Sequence, residues 1–244
     1  MLLASPRHTV HDLEHWKRLE IADSMRARHP GLAHKEDAAI QRLRSFASGG
    51  NFFVSASWGK DSVVVAHLAW RSGWRRMHWF PAGFIENPDC HLVRDAFLAR
   101  FEMDYSEIEA ADPVVGEWGH DGAQRAFERA SAKMGGRYAS GVRAEESATR
   151  KRRMVVFGHE TENTCAAIGW WSTDDVFAYL HKHDLPIHPA YACTRGGTID
   201  RNRIRVGTIG GQGGTGWGRR EWERTYYPAE LRAIYARMPS LVQR

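Results

Sequence analysis

At 244 residues, with 43% hydrophobic and 26% charged content, the chain suits one α/β domain with a sizeable core and an appendage, and would be cramped as two domains. No apolar run is long enough for a membrane span and the first residues lack a secretory apolar core, so a cytoplasmic protein without membrane contact is expected. The net charge of +5 rests on arginine, since only Lys17, Lys35, Lys60, Lys133, Lys151 and Lys182 among 34 basic residues are lysine, and guanidinium groups suit bidentate recognition of phosphate or sulfate.

Residues 9–28 carry Val10, Leu13, Trp16, Leu19 and Ile21 between charges, which predicts an amphipathic helix. Pro30-Gly31 reads as its stop. A second helix is expected over 34–46, with Ala38, Ile40, Leu43 and Phe46 on one side, before Gly49-Gly50. His8, His11 and His15 have spacings that a metal site could use, although scattered exposed histidines are far commoner.

The stretch from Asn51 to Trp70 organises the rest. Phe52-Phe53-Val54 is short, apolar and β-prone, and a helical pattern runs from Asp61 to Arg71 and ends at Gly73. Between them lie Ser57, Trp58, Gly59, Lys60, Asp61 and Ser62. A strand that turns sharply into a helix leaves unpaired N–H groups at the positive end of the helix dipole, which attracts an anion. Gly59 permits close approach, Ser57 and Ser62 add hydroxyl donors, and Lys60 adds a full charge. The segment lacks the Gly-x4-Gly-Lys-Ser/Thr spacing of a Walker A loop.

Further strands are expected at 77–80, 105–108 and 138–142, with helices at 88–101 and 121–134. This alternation predicts an α/β fold with a doubly wound, mostly parallel sheet, whose ligands sit beyond the carboxyl ends of the strands. The segment GRYASGVRAEESATRKRR places Gly141 and Arg143 at a strand end, Glu145-Glu146-Ser147 at a helix start and Arg150 one turn on, a second convergence of anion contacts. Ser172 begins a capped helical pattern through Leu180, followed by a proline-rich exit, Leu185 to Tyr191.

Beyond this exit, Arg201, Arg203 and Arg205 alternate. An extended strand would put all three on one face, either as an anion or nucleic-acid site or as a basic edge that discourages aggregation. Residues 208–218 form a glycine-rich stretch without lysine, expected to be a loop or lid, and 219–238 are expected to be helical apart from a break at Pro228. Cys90, Cys165 and Cys193 form no CxxC, which argues against an iron–sulfur cluster, a zinc site or a disulfide framework.

Ser57-x-Gly59-Lys60-Asp61-Ser62 after a strand resembles the PP-loop of the adenine-nucleotide α-hydrolases, in particular the phosphoadenosine-phosphosulfate reductase family, whose members often carry Gly or Phe where this chain has Trp58. Gly141-Val142-Arg143, Glu146-Ser147 and Arg150 match that family's second motif, and Trp171 to Leu180 with the exit resembles its third. The resemblance spans roughly residues 50–191. With it, the expected organisation is N-terminal helices over 1–48, a nucleotide-binding domain over 49–191 and an Arg/Gly-rich extension over 192–244.

The resemblance implies an adenine nucleotide, ATP or a sulfonucleotide, with an anionic acceptor and in some relatives a partner subunit. It offers two chemistries. One cleaves ATP to AMP and pyrophosphate and adenylates sulfate or a sulfur-modification substrate, with Lys60, Arg143 and Arg150 as catalytic cations and Mg2+ near Asp61. The other reduces a sulfonucleotide with a lone thiol, for which Cys193 is the candidate: nearby arginines could lower its pKa, and the opposing reading is an incidental thiol in a loop bordering the substrate. The thioredoxin-dependent branch keeps its thiol in a C-terminal Glu-Cys-Gly-Leu-His motif, whereas this chain ends MPSLVQR. A non-enzymatic nucleotide- or nucleic-acid-binding subunit is the third possibility.

Overall fold

A computed structural model describes residues 1–108, 120–210 and 219–237, with side chains from 127 onward in the second stretch. Helix α1 (Val10–Ala27) starts at a capping box in which the Thr9 hydroxyl accepts from the Asp12 amide and the Asp12 carboxylate accepts from the Thr9 amide. Helix α2 spans Pro30–Ser48. Pro30 thus follows the stop of α1, as expected, and also opens α2: at the first helical position its missing N–H costs nothing and its fixed φ is already helical.

Strand β1 (Phe53–Ala56) runs into helix α3 (Lys60–Ser72), which ends at Gly73 with φ 96°, a left-handed cap that glycine adopts without strain. Val63, Val64, Val65 and Ala66 are all buried, as befits a helix covered on most sides. There follow β2 (Arg76–Trp79), α4 (Asp89–Leu98), β3 (Asp104–Glu107), α5 (His120–Lys133) and β4 (Tyr138–Ala139). Helix α6 (Ala148–Phe157), β5 (Thr164–Cys165), α7 (Thr173–Lys182), α8 (Arg219–Tyr226) and α9 (Pro228–Arg237) complete the described elements. Pro228 separates the last two helices as expected.

The five strands are parallel in the order β3-β2-β1-β4-β5. The chain winds outward from β1 to β3, then crosses back to lay β4 on the other side of β1. The topological switch point lies between β1 and β4, where parallel sheets open a crevice for ligands. Strand β5 had no counterpart in the sequence reading, since two ladder residues are too few for a periodic pattern.

One buried cluster joins all parts of the chain, taking in Trp16 and Phe46 from the N-terminal helices, Val54, Leu68 and Phe177 from the sheet region, and Trp222 and Ile234 from the last helices. Trp16 meets Phe177 edge-on at 6.0 Å. Glu36 on α2 binds Arg71, Lys182 and His183, and Asp175 on α7 binds Arg26 and Lys35. These ion pairs tie both N-terminal helices to α3 and α7. No described helix is long and apolar enough to cross a membrane.

Candidate functional site

The turn from β1 into α3 presents its backbone to open space. Among the described residues the amides of Trp58, Gly59, Asp61 and Ser62 have no hydrogen-bond partner, while Ser57 N–H donates to Ser62 Oγ (3.2 Å) and Lys60 N–H to Tyr191 Oη (3.2 Å). Ser62 Oγ in turn donates to Gly59 O, which fixes the turn. Unpaired amides at the start of a helix form an anion nest. A Cβ on Gly59 would lie 3.3 Å from both Tyr191 Oη and Val206 Cγ2, so the turn is packed tightly from that side.

Trp58 occupies φ 55°, a conformation that favours glycine. Its indole explains how a tryptophan holds the position: it is buried against Trp79, Phe97 and Tyr105 at centroid distances of 5.7–6.2 Å. Aromatic burial of this size outweighs the backbone cost. Trp58 thus anchors the turn from below and does not line the cavity.

Gly141 brings the switch point together. A Cβ there would lie 2.7 Å from Asp61 Cβ and 2.8 Å from Asp61 C, closer than real atoms approach. Only glycine lets the segment after β4 press against the start of α3. That contact delivers Arg143, 1% exposed, whose Nε donates to Asp61 Oδ1 at 2.6 Å. Its remaining donors go to Glu145 Oε2, Trp171 O and Thr173 Oγ1. Asp61 Oδ2 accepts from Lys60 Nζ at 2.5 Å. Burial pushes the Lys60 pKa down and Arg143 pushes the same way, while Asp61 opposes both. Arg143 was expected to contact the anion itself; with its nitrogens engaged it orients Asp61, which orients Lys60.

The turn lines a cavity of about 280 Å³ together with Ser55, Ser140, Gly141, Val142, Glu146, Arg150, Tyr191, Arg205 and Gly207. This lies just below the usual range of about 300–1,000 Å³ for small-ligand sites. Glu146 sits at the mouth and holds two half-exposed cations, Arg150 and, at 2.9 Å, Arg205. Both cations can turn from one carboxylate to an incoming anion while staying near their places. Asp61, expected near Mg2+, has each oxygen on a cation, and the described residues contain no group of three or more metal-binding side chains.

The three alternating arginines do not share a face. Arg201–Arg203 is a 3-10 turn capped by Asp200, and the shorter repeat of such a turn separates the side chains. Arg201 is buried, donates to Asp23 at 2.6 and 2.7 Å and lies 3.7 Å over the Phe177 ring; Arg203 is exposed; Arg205 alone reaches the cavity. Cys193 does not have the low pKa suggested by nearby arginines: it is fully buried, and burial raises its thiol, as does the charge of Asp12. Cys90, which the sequence reading did not place at the site, lies beneath it, with Sγ 3.9 Å from Ser57 O and 3.6 Å from Val206 O. Its thiol is also raised by burial, and that of Cys165 is pushed up to about 12. Of the glycine-rich stretch 208–218, Thr208 bridges to Glu86 and Ile209 is buried; residues 211–218 lie outside the described residues.

Among the cavity residues whose place the sequence reading missed are two polar ones that matter for the chemistry. Glu146 was noted only as a motif match and Tyr191 only as part of the proline-rich exit. Glu146 lies in the same short segment as Gly141 and Arg150, but its role in holding Arg150 and Arg205 depends on a partner distant in sequence; Tyr191 reaches the turn across more than a hundred residues.

No protein-family model matches the chain. A phosphoadenosine 5'-phosphosulfate reductase from Synechococcus sp. is 26% identical over 177 residues, covering 64% of this chain and 76% of that protein. This likeness supports the phosphoadenosine-phosphosulfate reductase family, a member of the PP-loop superfamily, as the chain's relatives. The parallel α/β sheet, with the Ser57–Ser62 turn at its switch point, is consistent with the PP-loop fold.

Proposed function

We propose that the chain binds an adenine nucleotide with its phosphates in the Ser57–Ser62 turn, and that it transfers AMP from ATP to an anionic acceptor with release of pyrophosphate. An acceptor oxygen attacks the α-phosphorus, the bond to the β-phosphoryl oxygen breaks, and the electron pair leaves with pyrophosphate. The open amides of Trp58, Gly59, Asp61 and Ser62, the Ser57 hydroxyl and the Lys60 ammonium face the place where that charge develops. Arg150 and Arg205 at the mouth attract the two anions and offset their repulsion. Arg143 acts through Asp61.

The observation that carries this choice over reduction is the state of the thiols. Attack on sulfur needs an accessible thiolate, and all three cysteines are buried, with pKa values raised by burial. None lines the cavity. The name of the Synechococcus relative favours the second reading, a sulfonucleotide reductase, and that reading requires a rearrangement exposing a thiol.

The two separate in one pair of assays. Purified protein with ATP should release pyrophosphate, faster in the presence of a competent acceptor such as sulfate, and should form no sulfite from phosphoadenosine phosphosulfate with a dithiol reductant. Sulfite formation that disappears in Cys193→Ser would reverse the choice.

A further inference from the structure

Tyr191 stands apart from the other cavity residues because it takes up a donor that the anion nest would otherwise use. In the 3-10 turn Pro189–Ala192, its ring is 3% exposed and meets Phe177 edge-on at 5.5 Å. Its hydroxyl is aimed at the first turn of α3 and accepts the Lys60 amide at 3.2 Å. The Lys60 ammonium lies 5.7 Å from the ring centroid. Among the described residues the phenolic O–H donates to nothing, although the residue lines the cavity. Burial raises the phenol's pKa, as does the charge of Asp61, so the oxygen keeps its proton across the working range.

A phenol that accepts from a helix-start amide and still holds a free proton can pass that donation on. The amide polarises the hydroxyl, which then donates more strongly to the next acceptor in line. We infer that Tyr191 is a ligand-binding residue of this site: its O–H hydrogen-bonds a phosphoryl oxygen and relays the Lys60 amide's donation into the cavity. The inference rests on the phosphate-binding reading above and names a donor which that reading lacks. The packing of the ring against Phe177 makes Tyr191→Phe a clean probe, because the ring stays in place and only the oxygen is lost.

The test is calorimetric titration of inorganic pyrophosphate and of ATP into wild type, Tyr191→Phe and Lys60→Ala, with thermal melts of each protein. The expected result for Tyr191→Phe is a rise of about tenfold in both dissociation constants, the size of one charge-assisted hydrogen bond. Unchanged dissociation constants in Tyr191→Phe, with or without a lower melting temperature, would mean that the phenol only caps the helix. If Lys60→Ala is weakened in that same experiment, the phosphate-binding reading survives and only the role of Tyr191 is lost. A wild-type protein that binds neither pyrophosphate nor ATP would overturn both.

Discussion

Arg143 donates from Nε to Asp61 at 2.6 Å, and Arg201 donates from two nitrogens to Asp23 at 2.6 and 2.7 Å. Both guanidinium groups are buried, and both were candidate anion ligands. The network of Arg143 continues through Asp61 to the Lys60 ammonium at the cavity wall, whereas that of Arg201 ends over the rings of Phe177 and Trp16, pinning α1 to α7. An arginine's role is set by what lies beyond its carboxylate partner. Spacing along the chain shows neither.

The comparison is sharpest in paired substitutions. Removing one partner of a buried ion pair leaves a stranded charge, so Arg143→Ala and Arg201→Ala should each lower stability by about 3–5 kcal/mol in denaturant titrations. Only Arg143→Ala should also weaken ATP binding in the fraction that remains folded. Equal loss of affinity in both variants would erase the distinction between a site network and a scaffold network.

Trp58→Gly relieves the left-handed backbone and empties an aromatic pocket, two effects of opposite sign. Losing a buried tryptophan costs about 3–5 kcal/mol and the relaxed backbone returns about 1–2, so a net loss of about 1–4 kcal/mol is expected by thermal or chemical denaturation. A stabilised variant would mean that the indole does not anchor the turn. Gly141→Ala should cost about 1–3 kcal/mol by overpacking against Asp61, and it should weaken nucleotide binding because Asp61 carries Lys60 with it. An alanine tolerated without loss of affinity would contradict the close contact at the switch point.

A smaller effect separates the scaffold ion pairs by pH. Burial raises the pKa of Glu36, but hydrogen bonds from His183, Lys182 and Arg71 outweigh it and hold the carboxylate at about 2, against an ordinary value of 4.5. Asp175 behaves likewise: burial is outweighed by Lys35, the Ser172 amide and Arg26, and the group is held at about 2, against 3.8. Both carboxylates are protonated later in the folded chain than in the unfolded one. Their stabilisation is therefore complete above about 4.5 and is lost as pH falls towards 2. Melting temperatures measured across that window should fall less steeply in Glu36→Gln, which has already lost one of the two groups.

The legible parts of the chain were those fixed by backbone geometry. The turn at Ser57–Ser62, the glycine at 141 and the cap at Ser172 each need particular residue types at particular spacings, so the pattern itself carries the structure. The alternation of strands and helices was readable for the same reason. The arginines at 201–205 were misread because alternation implies one face only on an extended strand, and Asp23, far away in sequence, supplied a partner that favoured a 3-10 turn. The sequence left Cys193 open between a reactive and an incidental thiol, because charges near it in sequence, such as Arg195, say nothing of burial; the structure favours the incidental one. Tyr191 reaches the cavity through tertiary contacts alone, and so does the Arg205 partner of Glu146.

The central claim is that the Ser57–Ser62 turn holds the phosphates of an adenine nucleotide, with Lys60 as its charged donor. Isothermal titration of ATP into wild type and Lys60→Ala tests it directly. The account predicts a loss of about 1.5–3 kcal/mol in binding free energy, the range for a hydrogen bond to a charged group, in a variant that remains folded. Equal affinity in the two proteins would contradict it.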